Sequence, residues 1–110
     1  MSQQHTQSGI VVSVRPFGDA IFAARTTAIL KAEQLEIVRL VLHAGQSLRE
    51  HSTPGEITVL CLEGRIEFRT GDVLQVLGPG DFIHLRRREP HALRALSDAS
   101  ALLTICLAAD

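Results

Sequence analysis

The 110-residue sequence predicts an all-β fold, an antiparallel sandwich or barrel of about nine short strands. Three observations support this prediction. Short runs of β-branched and aliphatic residues recur along the chain, several of them alternate apolar with polar residues, and turn residues rich in glycine and proline separate them at intervals of roughly 8–12 residues. No segment shows the spacing of apolar residues that is expected of a long helix. The length fits one domain, which we place at residues 9–110 behind a disordered polar tail at residues 1–8.

The elements follow in chain order from these runs and from the turns that end them. A β-branched run at residues 10–14 stops before Pro16, and residues 16–24 are expected to form either a helical turn or a covering loop. The turns that separate the later runs include Thr53-Pro54-Gly55, Glu63-Gly64, the hairpin Thr70-Gly71-Asp72 and Gly78-Pro79-Gly80. The predicted strands are 26–31, 34–42, 48–52, 56–62, 65–69, 73–77, 82–85, 91–96 and 101–107.

Charge and composition exclude several classes of function. The chain has eleven Lys and Arg residues and twelve Asp and Glu residues, so its net charge is close to zero. It has four Phe residues and neither Tyr nor Trp. A nucleic-acid-binding surface is therefore not expected. No apolar run reaches the roughly 20 residues that cross a bilayer, and the N-terminus lacks the features of a signal peptide. We expect a cytoplasmic protein with no membrane partner, in which Cys61 and Cys106 stay reduced.

Three predicted strands are apolar on both faces, which predicts a partner for the second face. These strands cover residues 34–42, 56–62 and 101–107. A small sandwich needs only one buried face per strand, so the other face requires a cover. We expect a second copy of the chain to supply it, as a two-fold homodimer. The alternative is that residues 9–24 cover this face within one chain.

Two sequence motifs that contain histidines near the predicted strand ends resemble those of a known family. The stretch Gly45-x5-His51-x-Thr53-x3-Ile57-x6-Gly64 resembles the first motif of the cupins, in which two histidines and a glutamate lie between two glycines. The likeness extends over roughly residues 34–107. The second cupin motif is similar to the stretch Gly80-Asp81-x4-Arg86-x-Arg88-x2-His91-x3-Ala95. The resemblance implies a cupin-type jelly-roll barrel, in agreement with the strand pattern.

The resemblance also implies a metal site, of which this sequence keeps two ligand positions out of four. His51 and His91 match the histidines that hold the ion, whereas Thr53 stands in place of the second histidine and Ile57 in place of the glutamate. Glu56 is adjacent to Ile57, but a shift of one residue turns a strand side chain to the opposite face. The implied cofactor is a divalent metal ion, namely zinc, nickel, copper or iron. His84 is a candidate third ligand.

The remaining candidates line a pocket for a small organic ligand. We expect its lining to include Thr53, Ile57, Val59, Phe82, Leu93 and Arg39. Arg39 either forms a buried ion pair or contacts that ligand. Three functions stay open: a barrel that binds a metal, a small molecule or both; a metal-dependent cupin enzyme of the oxygenase, isomerase or decarboxylase class using His51 and His91; and a structural protein with a filled interior. No catalytic residue is assigned.

Overall fold

The chain folds into two antiparallel β-sheets, as the sequence predicts. The computed structural model describes residues 5–107; the first four residues of the predicted tail and the last three residues of the predicted domain lie outside this range. A short 3₁₀ helix at Gly18–Ala23 fulfils the expected helical turn. The strands are β1 (Thr27–Lys31), β2 (Leu35–Leu42), β3 (Ser47–His51), β4 (Ile57–Glu63), β5 (Ile66–Thr70), β6 (Val73–Leu77), β7 (Phe82–Leu85), β8 (His91–Ala95) and β9 (Ala99–Cys106).

The two sheets face each other and enclose the core. One sheet has the order β1-β2-β9-β4-β7 and the other the order β3-β8-β5-β6. Side chains alternate between the two faces of a regular strand, so one parity points inward except where a bulge shifts the register. In β4 the inward set is Ile57, Val59 and Cys61, each at most 3% exposed. The inward residues of β5 and β8 close the core from the other sheet, and Phe68 and Ile66 are its largest fully buried members.

The outer face of the five-stranded sheet is apolar as well. The register aligns Arg39 of β2, Leu102 of β9, Leu60 of β4 and Phe82 of β7 in one outward row. Leu60 and Leu102 are half-buried, and Phe82 is 63% exposed. The two-faced apolar pattern of these strands is therefore real, and part of the second face stays open to solvent in the single chain.

Residues 15–18 cover part of that outer face and are held there by a carboxylate. Glu63 accepts hydrogen bonds from the backbone N–H of Phe17 at 2.8 Å and of Gly18 at 3.1 Å. The Ser100 hydroxyl donates to the same carboxylate at 2.6 Å, and the Arg39 guanidinium lies 3.5 Å from it. Glu63 thus fixes the N-terminal segment to the ends of β4 and β9.

Arg39 is buried beneath this segment. Its guanidinium donates to the carbonyl of Arg15 at 2.7 Å and lies 4.0 Å from the ring centroid of Phe17, a cation–π contact. Burial lowers the pKa of Arg39, and the neighbouring Glu63 offsets this effect in part. Of the two expectations for Arg39, a buried ion pair or a ligand contact, the structure shows the ion pair, with Glu63. The side chain lies on the outer face of its sheet and not in the barrel.

The N-terminal region also contacts β1. The backbone N–H of Thr6 donates to the carbonyl of Ile29 at 2.8 Å, beside the first strand. Within residues 5–107 no helix is long and apolar enough to span a bilayer.

Candidate metal centre

His51 and His91 meet at one end of the four-stranded sheet. They are register partners in β3 and β8, and their ring centroids lie 4.3 Å apart with the ring planes tilted by 58°. The two rings are forty residues apart in sequence, so the pairing of the strands, and not local chain geometry, brings them together. This is the juxtaposition on which the implied metal site depends.

A β-bulge turns the His51 side chain to the correct face. Leu48 pairs with Leu93 and His51 pairs with His91, so three steps along β3 match only two steps along β8. Strict alternation from the inward Leu48 would direct His51 outward. The extra residue of the bulge restores the inward side, a re-aiming effect that is common next to functional sites.

Hydrogen bonds fix the protonation pattern of both imidazoles. The Nδ1 atom of His51 lies 2.8 Å from the carbonyl oxygen of Arg49, and Nδ1 of His91 lies 3.0 Å from the carbonyl oxygen of Glu89. A carbonyl oxygen accepts only, so each Nδ1 carries the proton and donates it. In the neutral rings both Nε2 atoms then hold free lone pairs. A backbone carbonyl in this role orients metal-binding histidines in many proteins.

The two rings differ in their surroundings. His51 is exposed, whereas His91 is 3% exposed and stacks on Phe68 with ring centroids 5.7 Å apart and planes at 12°. Burial lowers the pKa of His91, and the nearby His51 ring adds to this effect, although Glu89 opposes it. The lowered pKa favours the neutral imidazole, which is the form that binds a metal.

The positions that lack cupin ligands are occupied by groups with other tasks. Ile57 is buried in the core, and the Thr53 hydroxyl donates to the carbonyl of Gly55 at 3.0 Å. Among the residues that the structure describes, no group of three His, Cys, Asp or Glu side chains could hold a metal ion. Within residues 5–107, His51 and His91 are therefore a pair of candidate ligands and not a complete cupin ligand set.

His84 and Phe82 lie on the outer face of their sheet, which corrects two expectations. In β7 they share the parity that faces outward, since His84 pairs with the outward Thr58 and Phe82 with the outward Leu60. The Nε2 atom of His84 lies 2.6 Å from a carboxylate oxygen of Glu56. His84 does not join the histidine pair, and Phe82 does not line an interior pocket.

The other expected lining residues belong to the core. Val59 and Leu93 are at most 5% exposed and pack in one continuous cluster with Ile57. Side chains fill this part of the interior, so the histidine pair and Thr53 lie at the mouth above a packed core. The sequence analysis does not include Phe68, which stacks on His91. The signal for it is the alternation of charged and apolar residues in residues 65–69, which assigns Phe68 to the inward face.

Two loops lie beside the histidine pair, and a backbone hydrogen bond connects them. The N–H of Arg88, in the β7–β8 loop, donates to the carbonyl of Thr53, in the β3–β4 loop, at 2.8 Å. Arg88 has a φ of 60°, a left-handed conformation that favours glycine, and it occupies the position at which the second cupin motif has a glycine. The loop keeps the glycine conformation although the glycine is absent.

Comparison with known proteins identifies the family. The family model for the cupin domain, Cupin_2, matches residues 38–107 of the chain. This match includes both motif stretches and all strands from the middle of β2 to the end of β9. The chain belongs to the cupin family, whose members often bind metal ions. No curated protein matches the chain.

Solved cupin structures agree with this assignment. An RmlC-like cupin protein from Desulfovibrio desulfuricans is 30% identical, with a TM-score of 0.68 over 93% of this chain and 97% of that one. A cupin superfamily protein from Desulfitobacterium hafniense is 19% identical, with a TM-score of 0.75 over 89% and 95% of the two chains. The chain is 25% identical to the DMSP lyase DddQ from Ruegeria pomeroyi, with a TM-score of 0.70 over 83% of this chain and 52% of that one.

Proposed function

We propose that this cupin protein binds a divalent metal ion through the Nε2 atoms of His51 and His91, with a small organic ligand or water at the remaining positions. The observation that carries the proposal is the shared hydrogen-bonding pattern, in which each Nδ1 donates to a backbone carbonyl and each Nε2 keeps its lone pair. The proposal places the protein in the cytoplasm, where the free thiols Cys61 and Cys106 stay reduced.

The ligand set favours certain ions. Two imidazoles without a carboxylate leave the charge of the ion uncompensated, which weakens binding compared with a complete cupin site. Imidazole suits zinc, nickel and copper, whereas iron sites of this kind include a carboxylate that Ile57 cannot supply. We therefore rank zinc, nickel and copper above iron.

Metal titration of variants tests the proposal directly. Equilibrium dialysis against Zn²⁺, Ni²⁺ and Cu²⁺ should give one ion per chain for the wild type. His51→Ala should lose this uptake, and because His51 is exposed the variant should keep its fold. His84→Ala is the matched control, since it removes an imidazole on the outer face. Uptake that survives in His51→Ala, or that is equally lost in His84→Ala, would contradict the proposal.

Nitrogen NMR supplies a second readout that needs no metal. Two-bond ¹H–¹⁵N spectra distinguish the two neutral tautomers of histidine. In their neutral forms His51 and His91 should both be Nδ1–H tautomers, and Zn²⁺ should shift their Nε2 signals. A neutral Nε2–H tautomer at either residue would remove the lone pair that the proposal requires.

A metal-dependent enzyme is the second candidate. The open coordination positions favour it, because a bound metal supplies Lewis-acid activation of a substrate or water only where it has a free position. The likeness to the DMSP lyase DddQ adds an enzyme among the neighbours. In this case His51 and His91 hold the ion, and the packed interior confines the substrate to the mouth. Substrate turnover that disappears in His51→Ala would distinguish an enzyme from a binding protein.

We also propose that the protein is a homodimer with the outer face of the five-stranded sheet in the interface. Phe82 on that sheet is 63% exposed, and Phe22 and Val11 on the N-terminal segment are 74% and 95% exposed. Residues 15–18 cover Arg39 but leave these side chains open, so coverage within one chain is incomplete. A second copy offers a matching apolar face.

Light scattering at micromolar concentration tests the dimer. The wild type should have twice the chain mass of 12.0 kDa, and Phe82→Glu should reduce it to the single-chain value. Leu74→Glu is the matched control, because Leu74 is similarly exposed, at 57%, on the other sheet. A wild-type particle of 12.0 kDa would refute the proposal.

A further inference from the structure

A groove of about 540 Å³ lies on the outer face of the four-stranded sheet, away from the histidine pair. The two sites are on opposite sides of β8, because His91 points inward and its neighbour Ala92 points outward. The volume is in the range of small-molecule sites, roughly 300–1,000 Å³. Nothing in the proposed function uses this groove.

The floor of the groove is formed by a small residue, Ala92, that lies between two arginines. Ala92 of β8 pairs with Arg69 of β5, and Arg69 pairs in turn with Leu74 of β6. On the other side of Ala92, the bulge in β3 places both Arg49 and Glu50 opposite it. Neighbouring strands are about 4.8 Å apart, so the backbones of Arg49 and Arg69 are separated by roughly 10 Å across Ala92. The short Ala92 side chain leaves a depression between the two arginines.

Three guanidinium groups line this depression without a carboxylate partner. Arg94 joins Arg49 and Arg69 in the lining, and none of the three has an Asp or Glu oxygen of the described residues within 4 Å. Glu50 and Glu67 also line the groove, and they too form no ion pair in the described part of the chain. The lining has three positive and two negative groups, a formal charge of one positive.

We propose that the groove binds a small organic anion. Guanidinium groups bind carboxylate and phosphate oxygens with paired hydrogen bonds, and Arg49 and Arg69 can approach one such head group from both sides of Ala92. Leu74 gives an apolar wall for the body of the ligand. With Glu50 and Glu67 in the lining, the net formal charge of one positive suits a single anionic head group better than an extended polyanion such as a nucleic acid.

Titration followed by ¹H–¹⁵N NMR tests this site. The probes are octanoate and octyl phosphate, which carry the two head groups on the same apolar chain, and inorganic phosphate, which has no apolar part. At least one of the two organic probes should cause saturable shifts in the amides of residues 47–50, 67–69 and 92–94. It should bind more tightly than inorganic phosphate. Whichever head group gives the stronger response identifies the preferred class.

Three variants separate a built site from general charge attraction. Arg69→Gln should weaken the better organic probe about tenfold or more, since it removes charge-assisted hydrogen bonds. Ala92→Leu should have a similar effect while every charge is kept, because it fills the floor. Arg25→Gln is the control, an equal loss of charge at an exposed arginine outside the groove, and should leave binding within twofold.

Four results would overturn the proposal. They are the absence of saturable shifts with both organic probes at millimolar concentration, an equal loss of binding in Arg25→Gln, unchanged binding in Ala92→Leu, and shifts centred on His51 and His91. Because Arg69 and Ala92 lie on the outer face, a negative result for the groove would not contradict the proposed metal site. His51→Ala, in turn, should leave binding of the organic probes in the groove unchanged.

Discussion

Removal of the Glu63 carboxylate should destabilise the protein by about 3–5 kcal/mol, the range for breaking a buried ion pair by deletion of one partner. Glu63 is 15% exposed and Arg39 is 7% exposed, so solvent screens this pair little. Glu63→Ala would also leave the Ser100 hydroxyl and the N–H groups of Phe17 and Gly18 without their acceptor. Each hydrogen bond to a charged group contributes about 1.5–3 kcal/mol, but water can replace the one at the exposed Gly18.

Two further variants divide this effect into its parts. Glu63→Gln keeps one acceptor oxygen and the shape of the side chain, so it should cost about half as much, roughly 2 kcal/mol. In Arg39→Met the buried cation is absent, and the added cost of Glu63→Ala should then fall by more than 1 kcal/mol, as expected for residues in direct contact.

Urea denaturation followed by circular dichroism is the suitable assay, because the chain contains no Trp or Tyr for fluorescence. Hydrogen exchange at the amides of Phe17 and Gly18 gives a local readout and should accelerate strongly in Glu63→Ala. A loss below about 1 kcal/mol, in the range of exposed pairs, together with unchanged exchange at these amides, would refute the idea that Glu63 anchors the N-terminal segment.

Three more predictions concern the stability of the fold and the reactivity of its thiols. Gly64→Ala should destabilise the chain by about 3 kcal/mol or more, measured by urea titration, because Gly64 has a φ of 78° and a Cβ there would overlap the carbonyl oxygen of Asp98. Stability should fall as the pH drops below about 4.5, and this acid loss should be smaller in Glu63→Ala. Burial alone would raise the pKa of Glu63, but its hydrogen bonds and a neighbouring cation outweigh burial and hold it below 4.5, so the unfolded chain binds more protons there. A thiol reagent should modify Cys106 in the native protein and Cys61 only after unfolding, since Cys61 is fully buried and burial raises its pKa.

Much of the fold is predictable because strand signals in this chain are local. Alternation, β-branched runs and glycine turns place every strand within a few residues of its observed bounds. The cupin resemblance adds His51 and His91, and the structure brings their rings together. The strand period also predicts correctly that Glu56 and Ile57 point to opposite faces, since Glu56 contacts His84 on the outside while Ile57 is buried.

The remaining features depend on how distant strands align. Parity within β7 groups Phe82 with His84 but does not say which face of the sheet they occupy; the register with β4 decides that. Arg39 reads as either a ligand contact or a buried pair until Glu63 and the N-terminal segment are in place around it. Neither Arg39 nor Phe82 could be assigned to a face from its own neighbours in sequence.

The irregular step in β3 links two surfaces that do not touch. One inserted residue between Leu48 and His51 both keeps an imidazole beside His91 and sets a guanidinium next to Ala92 on the reverse side. Shortening β3 by a single position would therefore alter the inside and the outside of the sheet together. Substitution of the Arg49 side chain, in contrast, would alter the outer surface and leave the histidine pair in place.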